Sequence, residues 1–115
     1  MQTLDATEIL DRRQLRDMTL EDEALMREVL AALIEDTGRQ ISLMDAAIRE
    51  RDTERCKRLA HYCKGACANV GANAAAWVLR RMEEQVRAGD FEDCVRSLAA
   101  LGQELGRLRE EAARL

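Results

Sequence analysis

No proline interrupts the 115 residues of this chain, and apolar side chains recur at spacings of three and four along most of it. Proline is the residue that most reliably stops an α-helix, and that spacing lines up side chains on one face of a 3.6-residue turn. Together they predict an all-α fold. Abundant Ala, Leu, Arg and Glu add strong helix formers, while Trp77, Tyr62 and Phe91 are the only aromatic residues. A chain of this length makes one domain, spanning 1–115, that buries a core without disulfide or metal staples.

Residues 1–10 carry little pattern and read as a lead or one loose turn. Asp11 followed by Gln14 resembles a capping box that opens a short helix ending near Asp17, and Leu10, Leu15 and Met18 could fold this piece over the end of a bundle. Thr19 with Asp22 is a second start signal. From Leu20 to Glu50 the apolar period runs on through Gly38, which predicts one long helix, with a break there into two as the alternative. Asp52 caps a helix from Thr53 to Val70, and Gly71 ends it by tolerating the left-handed conformation. Asn73 is the expected cap of a helix from Ala74 to Ala88, packing through or near Trp77, Val78, Met82 and Val86. Gly89-Asp90 stops that one and starts the last, Phe91 to Ala113, through Val95, Leu98, Leu101, Leu105 and Leu108. Short links favour antiparallel neighbours, so the expected architecture is an up-down-up-down four-helix bundle over 19–115 behind a lead and short N-terminal capping helix over 1–18.

The 18 basic and 22 acidic residues are interleaved and leave a net charge of -4, a mixed solvent coat rather than a nucleic-acid footprint. No apolar run approaches the roughly 18–20 residues of a membrane span, and the start Met1-Gln2-Thr3-Leu4-Asp5 lacks the regions of a signal peptide, so the expected location is cytoplasmic. Cys56, Cys63, Cys67 and Cys94 then sit in a reducing compartment, where structural disulfides are rare. A thiolate metal site among them is geometrically imaginable, but no close-spaced pair of zinc-ribbon type exists. Buried, inert thiols are the expectation, with no metal.

Arg58 to Ala72 holds the single histidine. On a helix, Cys56, Leu59, Ala60, Cys63, Ala66, Cys67 and Val70 gather on one apolar face and His61 points away from it. Lys57 and Lys64 lie one turn to either side of His61, and Gly65 removes a side chain that would stand beside the ring. Neutral imidazole, with an ordinary pKa of about 6.5, keeps a free lone pair near neutral pH and can attack a phosphoryl group to give a phosphohistidine. The bland alternative is an ordinary surface histidine beside a lysine. Periodicity alone does not separate the two.

The run Ala60-His61-x-x-Lys64-Gly65, followed by Asn69-x-Gly71-Ala72, resembles the signature of histidine-containing phosphotransfer (HPt) domains, the phosphorelay modules of two-component signalling. The likeness extends to Leu10–Leu33, similar to the family's capping piece and first bundle helix, and to Leu79–Asp90, with Met82-Glu83 and Arg87-Ala88-Gly89-Asp90. The resemblance implies that His61 accepts a phosphoryl group from a receiver-domain aspartate and passes it to another response regulator. Lys64 would stabilise that group, Gly65 would give clearance, and Lys57, Ala68 and Asn69 would meet the partner. It implies a phosphocarrier rather than an enzyme, monomeric and without a cofactor of its own, with Mg2+ in the partner receiver and a hybrid sensor histidine kinase as a further partner. Cys63 stands where members often carry leucine or phenylalanine, a swap in core volume that leaves the exposed chemistry untouched. The alternative function is a helical adaptor of the same fold that binds a signalling enzyme or regulator without carrying phosphate.

Overall fold

The computed structural model describes residues 8–115, so the lead expected over the first seven residues lies outside the described part. Five helices follow in order: α1 (Arg12–Met18), α2 (Glu23–Arg49), α3 (Thr53–Val70), α4 (Asn73–Arg87) and α5 (Phe91–Ala113). Helices α2 to α5 pack in a closed ring, each against two neighbours, and α1 lies against α2 and α3. This is the expected four-helix bundle with its short N-terminal helix. Gly38 sits inside an unbroken α2, since a β-carbon-free residue costs a helix only about 1 kcal/mol and the packed face on either side outweighs it.

Four of the five helices start on an aspartate whose carboxylate accepts a first-turn amide: Asp11 from Gln14, Asp22 from Leu25, Asp52 from Arg55 and Asp90 from Asp93. Each satisfies one of the amides that a helix start leaves without a partner. Thr19 is not a start signal. Its hydroxyl is buried and donates back to the Leu15 carbonyl, closing α1, while Leu20 and Glu21 take left-handed backbone (φ 54 and 64) and delay α2 to Glu23.

Asn73 likewise does not cap α4. It is the first helical residue, buried, and its Nδ2 donates to Glu8 Oε1 at 3.3 Å. The Ala74 amide donates instead to the Glu8 carbonyl at 2.9 Å, so the segment before α1 serves as the missing cap. That segment crosses the α3–α4 turn, where the Asp11 amide donates to the Gly71 carbonyl at 2.8 Å. Leu10 and Leu15 are buried beneath it, whereas Met18 is exposed.

The core runs the length of the bundle through Leu30, Met44, Leu79, Met82, Leu101 and Leu108, all fully buried. Cys56, Cys63, Cys67 and Cys94 belong to it. Val95, on the expected packing face of α5, is exposed instead, because Cys94 one residue earlier takes the inward position.

Candidate functional site

The inward stripe of α3 is Cys56, Ala60, Cys63, Cys67 and Val70, and it fixes where every other side chain of that helix points. At 100° per residue, Lys57, His61, Lys64 and Ala68 share the flank facing α4, while Tyr62 and Asn69 lie on the opposite flank, Tyr62 turning toward α2, and Gly65 stands straight out between them. The side chain of His61 is 75% exposed, far from the hydrocarbon interior.

Glu83 of α4 organises that flank. Its side chain is only 15% exposed, and its Oε1 lies 2.9 Å from Lys64 Nζ and 3.6 Å from His61 Nδ1. The first contact is an ion pair without hydrogen-bond alignment, and the second is longer than a hydrogen bond. Lys64 is therefore half-buried and held against α4 rather than standing free on the outer face. Before any ligand arrives, its positive charge is compensated.

On the other side of the ring, the Tyr62 hydroxyl donates to Asp36 Oδ2 of α2 at 2.6 Å, and Arg39 approaches the other carboxylate oxygen at 3.3 Å. The Tyr62 bond lowers the Asp36 carboxyl below its ordinary range and, reciprocally, raises the Tyr62 hydroxyl. An exposed aromatic ring is thereby pinned across the α2–α3 seam next to His61. Four residues beyond the ring, a β-carbon built on Gly65 would meet nothing within 4 Å. The space above Gly65 is open solvent.

Of the expected partner-facing residues, Ala68 and Asn69 are exposed near the end of α3. Their carbonyls accept from Gln14 Nε2 at 2.6 and 3.1 Å, so α1 finishes α3 there. Lys57 lies 3.8 Å from Glu54 on its own helix, one turn away from the imidazole. His61, Lys64 and Gly65 are brought together, and Lys57, Ala68 and Asn69 border them.

Glu83 was invisible to sequence reasoning as a site residue because its contact depends on the register of α4 against α3. Only the core position of Met82 beside it hinted that Glu83 would sit at the seam. Among the described residues no cluster of three His, Cys, Asp or Glu side chains is placed to hold a metal, and no helix is long and apolar enough to cross a membrane.

Comparison with known proteins agrees with the fold. The model of the family described as Hpt domain matches residues 28–111. Histidine-containing phosphotransfer protein 4 of Arabidopsis thaliana is 29% identical over 107 residues, covering 89% of this chain and 84% of that protein. The crystal structure of histidine-containing phosphotransfer protein B from Pseudomonas aeruginosa PAO1 superposes with a TM-score of 0.82, covering 95% of this chain and 98% of that one at 22% identity. At that identity the second likeness is one of fold.

Proposed function

The chain belongs to the Hpt domain family, whose members carry phosphoryl groups rather than turn over a substrate, and on that premise we propose that His61 is its phosphoacceptor. The group comes from the aspartyl phosphate of a receiver domain and leaves to the aspartate of another response regulator. A hybrid sensor histidine kinase is the proposed source of the first receiver, and the cytoplasm the proposed setting. The observation that carries this reading is the exposed imidazole in the middle of α3, with the Lys64 ammonium on its flank and open space above Gly65.

Each part has a chemical duty. An uncharged ring nitrogen supplies the lone pair, and Lys64 offers a charge-assisted contact to the incoming phosphoryl oxygens. Gly65 lets the flat edge of a receiver come down over the ring. Tyr62, Asn69 and Ala68 border the contact, with exposed Met18 and Leu43 as apolar additions from α1 and α2. Mg2+ and the acceptor carboxylate would come from the receiver, and no cofactor is proposed for this chain.

Incubation with a phosphorylated receiver tests the reading. Wild-type protein should acquire label that is stable in alkali and lost in acid, while His61→Gln should fold normally and acquire none. Label on the Gln variant, or acid-stable label on the wild type, would remove His61 from the role. A protein that binds receivers tightly yet never takes label would be an adaptor.

A further inference from the structure

Helices α1, α2, α3 and α4 end in the same pair of turn bonds, and each places the residue past its cap in left-handed backbone: Leu20, Arg51, Gly71 and Gly89, at φ 54, 53, 91 and 75. At α1 the Leu20 amide donates to the Asp17 carbonyl at 3.3 Å and the Glu21 amide to that of Arg16 at 2.8 Å. Glycine suits such a position, because a β-carbon crowds the backbone there. Two of these four ends have it. Arg51 has a use inside the chain, since its guanidinium lies over the Phe91 ring, 5.5 Å from the centroid. Leu20 has none: it is 89% exposed, more than any other exposed large apolar side chain among the described residues. Backbone and solvent both disfavour leucine at this corner, so its use lies outside the chain.

The surface below the corner indicates what covers it. Leu25, Asp36 and Leu43 are spaced eleven and seven residues apart, which sets them on one line along α2. That line faces the seam with α3, because Asp36 accepts there from the Tyr62 hydroxyl. Met18, Leu20 and Leu25 stand at its head and Leu43 and Tyr62 lower down, all exposed. About 16 Å of helix separates Leu25 from Asp36, so this strip fits within a partner face of roughly 800 Å², about 30 Å across, that also covers His61. We propose that Leu20 is a docking anchor for the receiver domain that exchanges a phosphoryl group with His61, an apolar side chain held out from the α1–α2 corner to enter a hollow in the receiver's apolar surface. The proposal rests on receivers meeting the chain over His61. Backbone fixed by two hydrogen bonds leaves the anchor little freedom to lose on docking. It touches none of the reacting atoms, so it sets which receivers bind and how tightly, and not how fast a bound receiver exchanges its phosphoryl group.

Stability and docking should therefore move in opposite directions. Leu20→Gly should raise Tm by about 4 °C, as the left-handed residue loses its β-carbon. It should also raise by about tenfold the receiver concentration that half-saturates transfer, the loss expected of an interface anchor, with the maximal rate unchanged. Glu21→Gly relieves the same corner (φ 64) but keeps the leucine, so it should raise Tm and leave docking as it was. Leu20→Met, apolar and of similar size, should dock like wild type. The measurements are thermal melts, transfer from a receiver phosphorylated with acetyl phosphate, and calorimetric binding of the same receiver unphosphorylated, the receiver being the tightest binder of wild type in a panel. Unchanged docking in Leu20→Gly, an equal loss in Glu21→Gly, a fall in Tm for Leu20→Gly, or a panel in which nothing binds wild type would overturn the proposal. A wild type that binds the receiver and takes no label, while Leu20→Gly binds about tenfold more weakly, would keep the anchor and remove the phosphoacceptor reading.

Discussion

Gly65 and Gly71 stand six residues apart in the same run, and alanine at each should have opposite effects. Gly71 has φ +91, where an L-residue costs roughly 1–2 kcal/mol. A β-carbon there would lie 2.9 Å from the Asp11 carbonyl oxygen and 3.2 Å from the Asp11 β-carbon, so the strap over the turn must lift. Lifting it strains two hydrogen bonds, Asp11 to Gly71 and Ala74 to Glu8, each worth about 1 kcal/mol net. Gly71→Ala should therefore lose about 3 kcal/mol, a fall in Tm of about 12 °C for a chain of this size. Gly65 is mid-helix with open space where the β-carbon would go, and Gly65→Ala should gain about 0.5–1 kcal/mol from helix propensity. Thermal and urea melts followed by circular dichroism read both. A loss under about 1 kcal/mol for Gly71→Ala, or any loss for Gly65→Ala, would refute the assignment of one glycine to backbone geometry and the other to clearance. Leucine at position 65 should keep the fold and slow phosphoryl transfer.

The thiols should be silent in the native state. Burial pushes Cys63 up to about 12 and both Cys67 and Cys94 up to about 11, with Cys56 raised too, so iodoacetamide at neutral pH should label none until urea unfolds the chain. No Cα of α3 comes within 8 Å of one in α5, so oxidation should link Cys94 to none of the other three, and non-reducing mass analysis checks it. Gly38→Ala should raise the urea midpoint by the equivalent of about 1 kcal/mol, because a β-carbon there meets nothing and α2 is continuous; a loss would mean that α2 is hinged at that point. Asp36 is lowered by the Tyr62 bond, so its contribution is present above the ordinary aspartate range and fades as pH falls through its folded value. Tyr62 is raised, so its share persists below the ordinary tyrosine value of about 10 and fades as pH rises past it. Tyr62→Phe should thus be less stable than wild type at neutral pH and converge with it in strong acid, and equal midpoints at pH 7 would exclude the coupling.

Local chemistry was legible in the sequence and cross-helix chemistry was not. The aspartates at 11, 52 and 90 and the glycine at 71 act within a turn of themselves, and each helix boundary they imply lies within a residue or two of the structure, whereas α2, expected from Leu20, starts three residues later at Glu23 behind the Asp22 cap. The exposure of His61 followed from the same periodicity, since five inward side chains on α3 leave it no other direction. Thr19 and Asn73 misled because a hydroxyl or an amide near a helix end can bond in either direction along the chain. Distant packing chose: Thr19 reaches back to Leu15, and Asn73 reaches to Glu8, 65 residues away in sequence. Glu83, Gln14 and Asp36 touch the site helix only through the register of one helix against another. Periodicity says which face is buried, never which residue of a neighbouring helix lies opposite.

The setting of His61 also bears on how firmly a phosphoryl group can be held. The ring sits more than two turns from either end of α3, so every backbone amide around it is spent on the carbonyl four residues back. Loops that grip phosphate do so with unspent amides and helix N-termini, and none exists here. Stabilisation is left to side chains, chiefly Lys64, whose charge is already shared with Glu83. A phosphoryl group on such a helix gains modest contacts and keeps most of the reactivity of its phosphorus–nitrogen bond. That suits a carrier which must give up what it takes: had α3 ended at His61 and offered free amides, the same imidazole would hold its cargo more tightly and hand it on more slowly.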